Sequence, residues 1–179
     1  MASYHHGDLR RVLLSTAAEA IAETGPAALS LRELARRAGV SHAAPAHHFG
    51  DKAGLLTALA TEGFDLLADA LRQAGDDLLD TGVAYVGFAV RHRAHFDVMF
   101  RPELYRADDP ELIAARARSG ELLRDGVARR TGREPDSDAL AAWSIVHGFA
   151  TLWLAGALPP RVGDDPEAAA REVIRRLFA

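Results

Sequence analysis

Apolar residues recur at helical spacing along almost all of this 179-residue chain, and no alternating polar and apolar run of useful length interrupts them. An amphipathic helix needs apolar residues at i, i+3, i+4 and i+7, whereas a half-buried strand needs them at every second position. The pattern therefore specifies an all-α fold. In the first helix Leu9, Val12, Leu13, Ala17, Ala20 and Ile21 fall on one stripe, with Asp8 near the positive N-terminal end and Gly25-Pro26 as the stop.

Punctuation divides the rest of the chain. Ser30-Leu31-Arg32-Glu33 is a capping box, in which the Ser30 hydroxyl and the Glu33 carboxylate satisfy backbone donors at a helix start. That helix is short, with Leu31, Leu34, Ala35 and Ala38 inward and Arg32, Arg36 and Arg37 outside. In the turn Ala38-Gly39-Val40-Ser41 the glycine suits a left-handed conformation, the valine packs inward and the serine caps a second short helix running to His48. Phe49-Gly50 breaks this helix, and Asp51 caps a long one carrying Leu55, Leu56, Leu59, Phe64, Leu67 and Leu71. Further helices are expected near 76–94, 108–131, 136–157 and 165–178, with an irregular stretch from His95 to Arg106.

Composition narrows the chemistry. Cysteine is absent, which excludes a disulfide framework, a thiolate metal site and a Cys nucleophile. No apolar run is long enough for a membrane span, and the N-terminus lacks the apolar stretch of a secretory signal, so a soluble, cytoplasmic protein is expected. The formal charge of −4 argues against nucleic-acid binding until it is divided along the chain. Residues 1–56 carry six Lys/Arg against five Asp/Glu, and the remainder 15 against 20. Five of the eight histidines lie in that first third, where a phosphate or a modest fall in pH makes the segment more positive.

A short helix, a Gly-containing turn and a second short helix with polar side chains describe a helix-turn-helix, whose second helix enters the DNA major groove. The residues carry more than the shape. Ala28-Leu-Ser-Leu-Arg-Glu-Leu-Ala-Arg-Arg-Ala-Gly-Val-Ser-His-Ala-Ala-Pro, with His48-Phe49-Gly50-Asp51-Lys52, resembles the DNA-binding domain of the TetR family of bacterial transcription regulators. The segment Ala142-Trp143-Ser144-Ile145-Val146-His147-Gly148 resembles the Trp-His-Gly signature of one C-terminal domain class in that family.

The resemblance implies a three-helix helix-turn-helix domain over 1–52 and a helical ligand-binding and dimerisation domain over 53–179. It implies a homodimer on a near-palindromic operator, acting as a repressor released by a small hydrophobic or aromatic effector, with no enzymatic activity, metal or cofactor. Expected DNA-binding residues are Arg32, Ser41, His42, Ala43, His47, His48 and Lys52. Lys52, the only lysine, matches a phosphate-contacting position at a helix start whose backbone N–H groups add to the same anion site. At position 46 the family usually carries a phosphate-bonding tyrosine, and this chain has Ala46.

In the second domain, Trp143 and His147 lie four apart and share a helix face, where they are expected to line a cavity with Tyr85, Phe88, Phe96, Met99 and Phe100. Ile145, Phe149, Leu152 and Trp153, with Ile174, Leu177 and Phe178 of the last helix, are expected at a four-helix dimer interface. Two other readings compete. A family member that has lost operator binding and serves as a ligand or protein partner is motivated by Ala46. A His-based metalloenzyme is motivated by His92, His95 and Asp97, and by His42, His47 and His48, although no HExxH pattern accompanies them.

Overall fold

The computed structural model describes residues 6–132 and 136–176, which form nine α-helices and no strand. They are α1 (His6–Ala28), α2 (Leu31–Arg37), α3 (Ala44–Phe49), α4 (Lys52–Gln73), α5 (Leu78–Arg91), α6 (Arg93–Met99), α7 (Pro110–Thr131), α8 (Asp136–Leu154) and α9 (Pro166–Arg175). The chain divides into two compact units: Met1–Gly63 with Ala94–Ile113, and Phe64–Arg93 with Ala114–Ala179. The first unit thus extends beyond position 52 and takes in a segment from the middle of the chain. Among the described residues no helix is long and apolar enough to cross a membrane.

In the first unit α1 buries Leu13, Ala17, Ala20 and Ile21 of its stripe, and Leu14 beside it, with Leu34 and Ala35 of α2, Phe49 of α3, and Leu55, Leu56 and Leu59 of α4, while Leu9 and Val12 are half-buried. Gly25, at φ 77° and ψ 163°, breaks α1 as expected, and Pro26 starts one further turn. α2 packs on both α1 and α3. Its capping box is half formed. The Ser30 hydroxyl accepts from the Glu33 N–H at 3.2 Å, but the Glu33 carboxylate turns to Arg36 and Arg37, whose guanidinium groups offer stronger, charge-assisted bonds.

α2 ends in a complete Schellman motif: Gly39 has φ 65°, its N–H donates to the Arg36 carbonyl, and the Val40 N–H donates to the Ala35 carbonyl. Val40 is half-buried. The next helix begins later than expected, at Ala44 rather than at His42. Proline explains the delay. A helix capped by Ser41 requires the residue at 45 to donate to the Ser41 carbonyl, and Pro45 has no N–H. The chain instead makes a tight turn in which the Ala44 N–H reaches the Ser41 carbonyl at 3.0 Å and the Ala43 N–H reaches the Ser41 Oγ at 3.2 Å.

The stretch His95–Arg106 is not irregular at its start. It opens inside α6, where Ala94, His95, Phe96, Val98 and Met99 are buried, and continues through a 3₁₀ turn at Pro102–Leu104. The seven residues of α6 are too few to show helical periodicity, so burial rather than pattern defines this helix.

In the second unit α5 packs against α8 and α9. Asp77 caps α5 by accepting from the Leu79 and Asp80 N–H groups, and Asp165 caps α9 in the same way through Glu167 and Ala168. Gly82 permits the close approach: a Cβ there would lie 2.9 Å from Ile174 and 3.3 Å from Val146. Leu78, Val127 and Ala139 form a small cluster of their own, with Leu123 and Ala142 packed against it.

Candidate functional site

The α2–turn–α3 corner presents one polar surface. Ser41, His42, Ala43, Ala46 and His47 are exposed, while Pro45 and Phe49 anchor the other side of α3 in the core. His48 is half-buried between the His47 and Phe49 rings, with centroids at 5.6 and 6.2 Å. Ala46 contributes only a methyl group to the exposed face. α3 is therefore held by apolar contacts on one side and leaves short side chains and imidazoles on the other.

The charge around this corner is smaller than the sequence suggests. Arg36 and Arg37, expected outside and available, bind Glu33, and Arg37 also binds Glu23 at 2.7 Å. Hydrogen bonds from Arg36 and then Arg37 hold the Glu33 carboxyl down at about 2. Arg32 is exposed, and among the described residues it enters no ion pair. The Arg10 guanidinium lies over the Phe49 ring, 5.5 Å from its centroid, a cation–π contact that brings a second positive group to the α3 end.

Lys52 is half-buried at the start of α4, and its Nζ donates to the Ala27 carbonyl at 2.8 Å. An ammonium has three donors, so this bond fixes the side chain without exhausting it. The helix start is not the open anion site expected from the sequence. Asp51 places its Oδ1 on the Gly54 N–H at 2.8 Å and so caps α4 with a carboxylate. That backbone bond, and then the neighbouring Arg106 charge, keep the Asp51 carboxyl below its usual range. Arg106 Nη2 donates to Asp51 Oδ2 at 2.9 Å. Nothing in the sequence announces this pair, because 55 positions separate its members and only the fold brings them together.

The second unit brings Tyr85, Trp143 and His147 together and sets them in a chain. Trp143 Nε1 lies 3.2 Å from Tyr85 Oη, which lies 2.9 Å from His147 Nδ1. Indole N–H can only donate, so Tyr85 Oη accepts from Trp143, while its bond with His147 Nδ1 runs in the direction the imidazole tautomer sets. Burial pushes the Tyr85 phenol up, against the smaller effect of the Trp143 bond, and burial lowers His147. Phe88, expected at the same site, is buried in the same unit and stacks on His92 at 5.3 Å. Phe96, Met99 and Phe100 belong to the first unit, where Phe96 and Phe100 meet edge to face and Met99 lies against Gly63.

The residues expected at a subunit interface separate by exposure. Ile174 lies in the core of its own unit beside Gly82, and Phe149 is buried and stacks on Trp153. Burial inside one's own unit removes Ile174 and Phe149 from a surface role. Ile145 is half-buried, and Leu177 and Phe178 lie outside the described residues. Among the described residues the open large apolar side chains of this unit are Leu140 (58%), Leu152 (47%) and Val173 (40%). Leu140, Ser144, Gly148 and Leu152 follow one another at four-residue intervals on one face of α8.

The histidines of the metalloenzyme reading gather no third ligand among the described residues. His95 Nε2 meets Glu62 Oε2 at 3.0 Å in the first unit, His92 lies in the second, and among the described residues no three His, Asp or Glu side chains are placed to hold a metal ion.

Comparison with known proteins finds two family models, one on each side of the middle of α4. A family model described as bacterial regulatory proteins, tetR family, matches residues 13–59, and one described as tetracyclin repressor-like, C-terminal domain, matches residues 78–177. A solved structure of a protein of unknown function from Rhodococcus sp. RHA1 is 34% identical with a TM-score of 0.81, covering 99% of this chain and 97% of that one. The TetR family transcriptional regulator PfmR from Thermus thermophilus is 26% identical with a TM-score of 0.68, covering 91% of this chain and 94% of its own. The HTH-type transcriptional regulator BetI of Rhizobium meliloti (strain 1021) is 33% identical over 108 residues, which span 59% of this chain and 47% of that protein. The match thus extends over about half the length of this relative.

Proposed function

Because the chain belongs to the TetR family of bacterial regulatory proteins, we propose that it is a homodimeric, sequence-specific repressor released from its operator by a small molecule. The observation that carries the reading is the α3 surface. Its outward side chains are small or imidazole, its inner side is locked by Pro45 and Phe49, Arg10 lies over Phe49, and Arg32 of α2 and Lys52 of α4 add positive charge to the same unit. His42 and His47 can donate to or accept from base edges, and the Ala43 methyl suits a thymine methyl. Lys52, held by the Ala27 carbonyl, supplies a phosphate contact, and Ser41 keeps its hydroxyl at the turn. Two such surfaces in a dimer fit half-sites about 34–36 Å apart, or a related spacing.

Trp143, Tyr85 and His147 belong to the effector face in this reading. Their hydrogen-bond chain gives an otherwise apolar helix pair a fixed polar edge, which suits a hydrophobic or aromatic molecule with one polar group. The dimer face is assigned to Leu140, Ser144, Gly148 and Leu152 of α8 with Val173 of α9, small and apolar residues that leave room for a second helix pair.

The test is selection of bound sequences from a random DNA pool, with the dimer confirmed in solution. One enriched palindrome supports the repressor reading and supplies the operator for effector screening by DNA release. No enrichment at low salt removes it and favours a family member that binds ligand or protein alone, for which Ala46 is the leading cause.

A further inference from the structure

Asp51 sets an electrostatic conflict at the α3–α4 corner. Its carboxylate is required as the α4 cap, yet it stands exposed beside Lys52, where the DNA-binding reading brings a phosphate. We propose that Arg106, a residue outside the helix-turn-helix, is a positioning residue of the DNA interface that neutralises the Asp51 charge and so lets the phosphate backbone approach Lys52. This inference rests on the DNA-binding reading.

The Arg106 side chain is delivered to that place by contacts that do not involve DNA. Its main-chain N–H donates to Thr57 Oγ1 at 3.0 Å, and the buried Thr57 hydroxyl in turn donates to the Ala53 carbonyl at 2.7 Å. The neighbouring Tyr105 Oη donates to the Met99 carbonyl at 2.8 Å, and Asp109 caps α7 through the Glu111 and Leu112 N–H groups. The segment from 101 to 109 is thus pinned on both sides of Arg106. Gly54 leaves space for the guanidinium, since a Cβ there would lie 3.0 Å from Nη1. The planar group meets the Asp51 carboxylate through one nitrogen and remains half exposed.

A carboxylate close to a phosphate repels it, and the repulsion grows as salt falls because less of it is screened. Arg106 makes the corner locally neutral while Asp51 keeps capping. The arrangement couples the α6–α7 connection to the DNA surface through charge.

The test is a double-mutant cycle on the full-length dimer with the selected operator. Arg106→Gln should weaken binding on the order of three- to fivefold at low salt, the scale of an exposed charge pair, with the loss fading as salt is raised. Asp51→Asn keeps the cap, because asparagine caps as well as aspartate, and should bind at least as tightly as the wild-type chain. The double variant Asp51→Asn, Arg106→Gln should return to within about twofold of Asp51→Asn alone. A loss that persists in the double variant overturns the proposal and assigns Arg106 a direct phosphate contact or a structural role, which thermal unfolding separates. Unchanged binding by Arg106→Gln also overturns it. If the wild-type chain selects no operator, the DNA reading fails first, and this inference is withdrawn with it.

Discussion

Gly54→Ala and Gly120→Ala are the same chemical change in two helices, and the structure gives them opposite signs. Replacing glycine by alanine inside a helix gains up to about 1 kcal/mol from backbone entropy alone. At Gly120 of α7 an added Cβ meets nothing within 4 Å, so that gain stands. At Gly54 the added Cβ would sit 2.0 Å from the Phe49 carbonyl oxygen. This is no flexible side-chain end: the same carbonyl accepts the Asp51 N–H at 3.0 Å inside the tight turn between α3 and α4. The turn must open or the helix must shift, and overpacking of this kind costs about 1–3 kcal/mol or more. The clash outweighs the propensity, leaving a net loss of roughly 1–2 kcal/mol.

For a chain of this size each kcal/mol moves the midpoint by about 2–4 °C. Thermal unfolding followed by circular dichroism, at fixed protein concentration because association shifts the midpoint, should show Gly54→Ala lowered by roughly 2–8 °C. Gly120→Ala should be raised by up to about 4 °C. A Gly54→Ala protein as stable as Gly120→Ala would refute the placement of the Phe49 carbonyl, and with it the account of how α3 is joined to α4.

Four other variants have expected outcomes. Lys52→Ala should weaken operator binding and reduce the slope of log K against log salt by about 0.9, one phosphate's worth, with the dimer intact by sedimentation. Glu33→Gln should leave the Ser30 cap, which uses the Glu33 main-chain N–H, while releasing the Arg36 charge and leaving Arg37 on Glu23; non-specific DNA affinity should rise and its salt slope steepen in a fluorescence titration. The same variant should lose the acid-range stability that the depressed Glu33 carboxyl contributes, present above about 4.5 and lost as pH falls toward about 2. His147, lowered by burial from 6.5, is an imidazole that takes up a proton more readily when unfolded; stability should therefore fall as pH drops below about 6.5, and His147→Gln should flatten that dependence in denaturant titrations. Leu152→Glu should yield a monomer of unchanged helicity if the open face of α8 is the dimer surface, and a dimer of wild-type affinity would place that surface elsewhere.

Local rules make much of this protein legible from its residues alone. Helical spacing sets the class, because burying one stripe per helix is the same problem wherever the helix lies. Gly25, Ser30, Gly39, Asp51, Asp77 and Asp165 act within a few residues of themselves, and each stops or starts a helix where such residues should. The helix-turn-helix and the Trp-His-Gly segment are visible for the same reason, as short runs whose residue types answer local demands. Even the late start of α3 follows from one proline, although the competing signal of Ser41 conceals it.

Charge and side-chain direction are decided elsewhere. The basic face of α2 is reduced by Glu23, 14 positions from Arg37, and the Asp51 carboxylate finds Arg106 across 55. Such pairs form when packing carries distant segments to one place, and no periodicity encodes them. Ile174 and Val173 are adjacent β-branched residues, yet the first is buried beside Gly82 and the second is open, a difference set by the rotation of α9 against α5. Tyr85, Trp143 and His147 become a hydrogen-bond chain only where α5 meets α8. Where helices begin, end and turn is written in neighbouring residues, because those interactions are local; which charges survive and which side chains face outward depends on contacts between segments remote along the chain.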